Sequence, residues 1–191
     1  MPDTIYKLTD QDMRTYGGYQ WGLGKARRTD GSGALCGSGW LHCYSDPLLA
    51  EMLNPIHANI NHPRCFVGRG GGRKVDDKGL KAGYTWMCLD AEVPVLGVTT
   101  EQRCRFAILC ALAVYDNERF AAWAHNWLTG ADRSEAAAGA AERAAWAAVG
   151  AVGAAGAAAW AAAGAAANQR LSLIELAAQA VAEEQPTKEG E

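Results

Sequence analysis

The chain has 191 residues, 49% of them apolar, and a formal charge of −3. It is long enough to bury one substantial core with an appendage, and the small negative charge excludes a wholesale nucleic-acid binder, which needs a basic face. Six cysteines, at positions 36, 43, 65, 88, 104 and 110, form no C-x-x-C pair and follow no signal-peptide pattern, so reduced thiols are expected rather than a disulfide framework.

Ile5 to Thr9 reads as a first strand, and the polar stretch up to Gly17 and Gly18 reads as its exit loop. Tyr19 to Leu23 suggests a second short strand. Lys25, Arg27 and Arg28 make a basic corner, expected as a solvated loop, before the turn residues Asp30 to Gly33.

Cys36 to Ile60 is the densest stretch. Trp40, His42 and Tyr44 alternate with Leu41 and Cys43, which predicts a strand with two different faces. Ser45 or Asp46 then suits a helix N-cap and Pro47 its first turn, where no donor is needed. Leu48, Leu49, Met52 and Leu53 give that helix an apolar face, and Pro55 is expected to end it.

Arg64 to Val67 reads as another strand. The glycine-rich run Gly68 to Lys74 is expected at a hairpin tip; Arg69, Arg73 and Lys74 there are ligand candidates for an anion, although the run lacks the Ser or Thr of a phosphate loop. Tyr84 to Val95 returns as a long strand bounded by Pro94. From Thr99 the period changes to that of helices. Thr99 with Gln102 has capping-box spacing, followed by Phe106, Leu109 and Cys110 on one face. A second helix starts at Asp116 or Asn117, carries Phe120, Trp123, Trp127 and Leu128 on one side, and stops at Gly130. Both helices are expected to pack on the small sheet.

Beyond Asp132 and Glu135 the chain becomes nearly pure alanine and glycine, with AAWAAVG at 144–150 recurring as AAWAAAG at 158–164. Small side chains permit close helix approach, so self-association through 134–167 is expected. The uncharged run 144–167 is long enough to span a bilayer, but alanine and glycine gain little from lipid and Arg143 and Arg170 flank it symmetrically, so no membrane span is expected. Residues 183–191 are expected to be disordered.

The segment GWLHCYSDPLLAEMLNPIHA, preceded by YQWGLGK and ALC and followed by ILCALAVYDNERFAAWAHNWLTG, resembles a family of uncharacterised proteins of tailed bacteriophages and prophages. The likeness runs from about Ile5 to Gly130. It implies a viral accessory protein in the cytoplasm of the infected bacterial host. It carries no mechanism.

Two chemistries have candidate residues. Cys36, His42, Cys43 and His57 could ligate a metal, with His62 and Cys65 nearby, but their spacing matches no zinc signature and no metal is expected. The layout also resembles ADP-ribosyltransferases: Lys7 takes the place of the basic residue on the first strand, and His42, Tyr44 or Ser45 that of the residue meeting the nicotinamide end of NAD. Glu92 is the stand-in for the glutamate that supports the oxocarbenium charge. Trp40 and His57 are further ligand candidates, with packing and loop hydrogen bonding as their ordinary roles.

The combined expectation is an α+β fold: a globular domain at 1–130 with a small mixed or antiparallel sheet and packed helices, a long Ala/Gly-rich helical tail at 131–182, and a disordered end. Its expected role is protein–protein interaction with a bacterial or phage partner, without cofactor or nucleic acid. The alternative is an ADP-ribosyltransferase-like NAD- or nucleotide-binding protein, either an active enzyme or a catalytically degenerate relative.

Overall fold

The structure, a computed structural model, describes residues 1–77, 79–113, 117–134 and 172–182. It is α+β, with an antiparallel sheet. The chain divides into two compact units, one formed by Met1–Arg103 with the segment from Leu173 onward, the other beginning at Cys104. The helix Leu173–Ala182 groups with the first unit.

In the first unit, β1 (Asp3–Thr9) pairs antiparallel with β6 (Arg64–Asp76), and β6 with β7 (Ala82–Val93). The far side of β7 takes two short strands, β4 (Arg27–Arg28) and β5 (Leu41–Cys43). A separate two-stranded hairpin joins β2 (Arg14–Thr15) to β3 (Tyr19–Gln20). Only those first residues of the expected strand 19–23 pair there; Leu23 instead bridges Leu89. Just past β5, Tyr44 exchanges both backbone bonds with Tyr6 of β1, at 2.8 and 2.9 Å. Backbone pairing thus closes a ring through β1, β6, β7 and the β5 segment. Inside lie Ile5, Trp21, Leu41, Cys43, Phe66, Tyr84, Met87 and Leu89.

The glycine-rich run is not a hairpin tip but the middle of β6. A side chain at Gly68 would collide with the Cys88 carbonyl, and one at Gly70 would meet the Tyr84 ring at 2.9 Å. Glycine lets the two strands approach closely, and the irregular pairing at Val67/Gly68 and Gly71/Lys74 bends the strand. The turn falls later, where Leu80 donates to Asp77 and Asp77 to Lys81.

Helix α1 (Pro47–His57) begins as expected: the Asp46 carboxylate accepts from Leu49 N at 3.0 Å, and Pro47 occupies the first turn. It does not stop at Pro55. A proline there removes the donor that would have bonded the Glu51 carbonyl, and Arg103 Nε reaches that carbonyl instead, at 3.4 Å. The helix is buried continuously from Leu49 to Asn54, beyond what one apolar stripe requires, because β1 and α4 (Leu173–Ala182) both contact it. Leu173, Ala177 and Ala180 are the buried residues of α4. Glu51, only 2% exposed, accepts from the backbone N–H groups of Leu96 (2.5 Å) and Gly97 (3.0 Å), so α1 also holds the segment that follows β7.

The reciprocal cap is present: Thr99 N donates to Gln102 Oε1 and Gln102 N to Thr99 Oγ1. It opens α2 (Thr100–Leu112). In the second unit, α3 (Glu118–Thr129) is capped by Asn117, which accepts from Phe120 N at 3.0 Å, and ends on Gly130 in the left-handed region. Ile108, Phe120 and Ala124 form a buried cluster within this unit. Among the described residues no helix is long and apolar enough to cross a membrane. Most of the segment expected to self-associate, including the uncharged run 144–167, lies outside the described residues, as do 183–191.

Candidate functional site

The candidate site is a cleft in the first unit of about 400 Å³. Lys7 forms part of its lining because the two-residue period of β1 places it on the same face as core residue Ile5. It is 8% exposed, and its ammonium donates to the His42 carbonyl at 2.5 Å and lies 4.8 Å from the centre of the Trp21 ring. Burial lowers its pKa to about 8, opposed weakly by nearby Cys43.

The opposing walls come from distant parts of the chain. β5 and the residue after it contribute His42 and Tyr44, and the end of α1 contributes His57. The Tyr44 hydroxyl and His57 Nδ1 share a hydrogen bond of 3.3 Å, with the rings stacked at 19°. Burial raises the Tyr44 phenol and lowers the His57 imidazole, so both are neutral at pH 7. The His42 ring donates through Nε2 to the Leu35 carbonyl, while burial lowers its pKa. Asn54 fixes the next stretch by bonding both backbone groups of Ile60, at 2.9 and 3.0 Å.

The β2–β3 hairpin supplies Thr15, Tyr16 and Tyr19, and Trp21 follows, its indole donating to Thr15 Oγ1 at 3.0 Å. The loop before β5 supplies Cys36, Ser38 and Trp40. Trp40 donates to the Gly33 carbonyl at 3.1 Å, and Arg73 lies over its ring while bonding the Asp30 carbonyl, so the loop is pinned to β6. Lys81, from the β6–β7 turn, reaches the cleft and donates to Cys36 Sγ at 3.2 Å. Among the described residues, the lining holds two lysines, two histidines and five Tyr or Trp side chains, with no aspartate or glutamate.

Of the sequence-predicted residues, Lys7, Cys36, Trp40, His42, Tyr44 and His57 come together here. Ser45 does not; it lines a smaller neighbouring pocket beside Asp3 and Lys74. Glu92 is held by Arg64 through paired bonds of 2.9 and 2.6 Å and is absent from the cleft lining. Of the anion-ligand candidates in the glycine-rich run, Arg69 is similarly paired with Asp90 and Lys74 with Asp3, while Arg73 bonds the Asp30 carbonyl and lies over the Trp40 ring. The metal set does not assemble: Cys43 is a core thiol donating to the Ala82 carbonyl, its pKa pushed up to about 12 by burial. No cluster suited to a metal occurs among the described residues. All six cysteines are free.

Sequence reasoning missed Thr15, Tyr16, Trp21, Lys81 and the loop residue Ser38. None of these carries a signal in its local pattern, because the packing of distant segments is what gathers them. Comparison with known proteins returns no matching family model, no similar curated protein and no similar solved structure.

Proposed function

We propose that the cleft binds a small ligand joining a planar ring to an anionic group, the chemistry of a nucleotide. The observation that carries this is the lining: aromatic rings together with Lys7 and Lys81, and no carboxylate to neutralise them. A buried ammonium without a counter-charge is costly, so an anion entering beside Lys7 gains an interaction that water offers only weakly. A ring stacked on Trp or Tyr adds roughly 1–3 kcal/mol. Ligand binding, not ADP-ribosyl transfer, is the role favoured, because Glu92 is engaged with Arg64 and no described residue of the lining offers another carboxylate. The likeness of Gly39 to Ala58 to phage proteins supports placing this role in a phage accessory protein inside its bacterial host.

Thermal unfolding with AMP, ADP, NAD and ADP-ribose tests the reading. A ligand at a hundred times its Kd stabilises by about 2.7 kcal/mol, which is several degrees for a chain of this size. The expected result is such a rise for at least one ligand, lost in Trp21→Ala. Unchanged melting with all four, supported by equilibrium dialysis, would remove the proposal.

A further inference from the structure

Lys7 differs from the other described lysines. Lys25 is exposed. Lys74 is bound to Asp3 at 3.0 Å and its pKa is raised, chiefly by hydrogen bonds to Tyr84 and Asp3, which keeps its amine protonated. Lys81 is spent on Cys36 Sγ. Lys7 alone among them is buried in a cleft, held at a fixed position by one carbonyl and one indole face, with no carboxylate in the lining to retain its proton.

We propose that Lys7 is an amine nucleophile that captures the carbonyl of an aldehyde or ketone entering the aromatic cleft, forming an imine. The inference rests on the cleft admitting a small planar ligand, not on that ligand being a nucleotide. The ammonium first gives a proton to solvent. The nitrogen lone pair then attacks the carbonyl carbon, and the C=O pair moves onto oxygen, which takes up a proton as nitrogen loses one, giving a carbinolamine. Loss of water forms the C=N bond, and hydrolysis reverses the sequence. The hydrogen-bonded Tyr44–His57 pair lines the same cleft and can exchange the protons involved. With a pKa near 8 in place of 10.5, roughly a quarter of the amine is free at pH 7.5, against about a thousandth for an ordinary lysine.

The full chain is incubated with pyridoxal 5′-phosphate, an aldehyde on a planar anionic ring, reduced with borohydride, and mapped by peptide mass spectrometry across pH 6–10. Lys7 is expected to be labelled at least about tenfold faster than any other lysine at pH 7.5, half-maximally near pH 8, while the others keep rising toward pH 10. Lys7→Arg, which keeps the charge but not the nucleophile, is expected to remove the fast phase with circular dichroism unchanged. Labelling of wild-type protein spread over the other lysines, with Lys7 no faster, overturns the proposal whether or not the variant folds. Fast trapping at Lys7 alongside unchanged melting with every nucleotide would sink only the nucleotide reading. Nucleotide binding with Lys7 unlabelled in the free protein would sink only the imine.

Discussion

Replacing Lys7 by Met keeps the length of the side chain and removes its charge. In the folded protein the ammonium holds its proton less tightly than in the unfolded chain, with a pKa of about 8 against 10.5, a difference worth roughly 3 kcal/mol against folding when both states are protonated. That difference already contains what the ammonium gains from the Trp21 ring and the His42 carbonyl, so Lys7→Met is expected to be more stable than wild type at pH 7 by up to about 3 kcal/mol. The sign with pH follows from proton counting. Between pH 8 and 10.5 the unfolded chain binds more protons than the folded one, so wild-type stability rises with pH across this window. The advantage of the Met variant is present in full below pH 8 and disappears by about pH 10.5. Urea unfolding of both proteins at pH 7 and pH 10, followed by tryptophan fluorescence, measures the difference while cancelling the titration of groups they share. A Met variant less stable than wild type by more than about 1 kcal/mol at pH 7, or a gap that does not change with pH, would refute the reasoning.

Glu51→Ala deprives three backbone N–H groups after β7, those of Leu96, Gly97 and Val98, of a buried carboxylate acceptor and is expected to cost about 2–4 kcal/mol in urea unfolding, with faster hydrogen exchange at all three; a loss under about 0.5 kcal/mol would contradict the anchoring role. Gly68→Ala drives a methyl group into the Cys88 carbonyl, where only backbone can yield, so a loss of roughly 2 kcal/mol or more in Tm-derived stability is expected. Ending the chain at residue 172 removes α4 and uncovers the α1 surface that Leu173 and Ala177 bury. The first unit should lose about 2–3 kcal/mol, and an unchanged melting temperature would show that α4 contributes nothing.

Several parts of this protein were legible in the chain because their causes are local. Asp46 with Pro47, Thr99 with Gln102, and Asn117 with Gly130 each bond within about one turn, so the helix ends they mark appear where the residues stand. The strand character of Ile5–Thr9 and Leu41–Cys43 was likewise legible from alternation. His42, Tyr44 and His57 were visible as candidates by residue type, and Lys7 by its strand. That they share one cleft, and that Glu92 does not, was not visible: β1 and the β5 segment, far apart in the chain, meet through the Tyr6–Tyr44 bridge and the Lys7–His42 bond, and Glu92 is drawn to Arg64 by the register of β6 with β7.

Read alone, then, the amino-acid order determined the α+β class, the capped starts of α1, α2 and α3 with the stop of α3 at Gly130, and the pool of residues with useful chemistry. Tertiary structure decided the rest. It carried a glycine run through a strand because Cys88 and Tyr84 crowd it, and carried a helix past Pro55 because Arg103 takes the orphaned carbonyl. It also made Lys7 unusual, since burial and the absence of a carboxylate from the cleft depend on walls drawn from the β2–β3 hairpin, the loop before β5, the end of α1 and the β6–β7 turn. Segments that far apart are brought together by strand register and packing, which no pattern within a short window of sequence encodes.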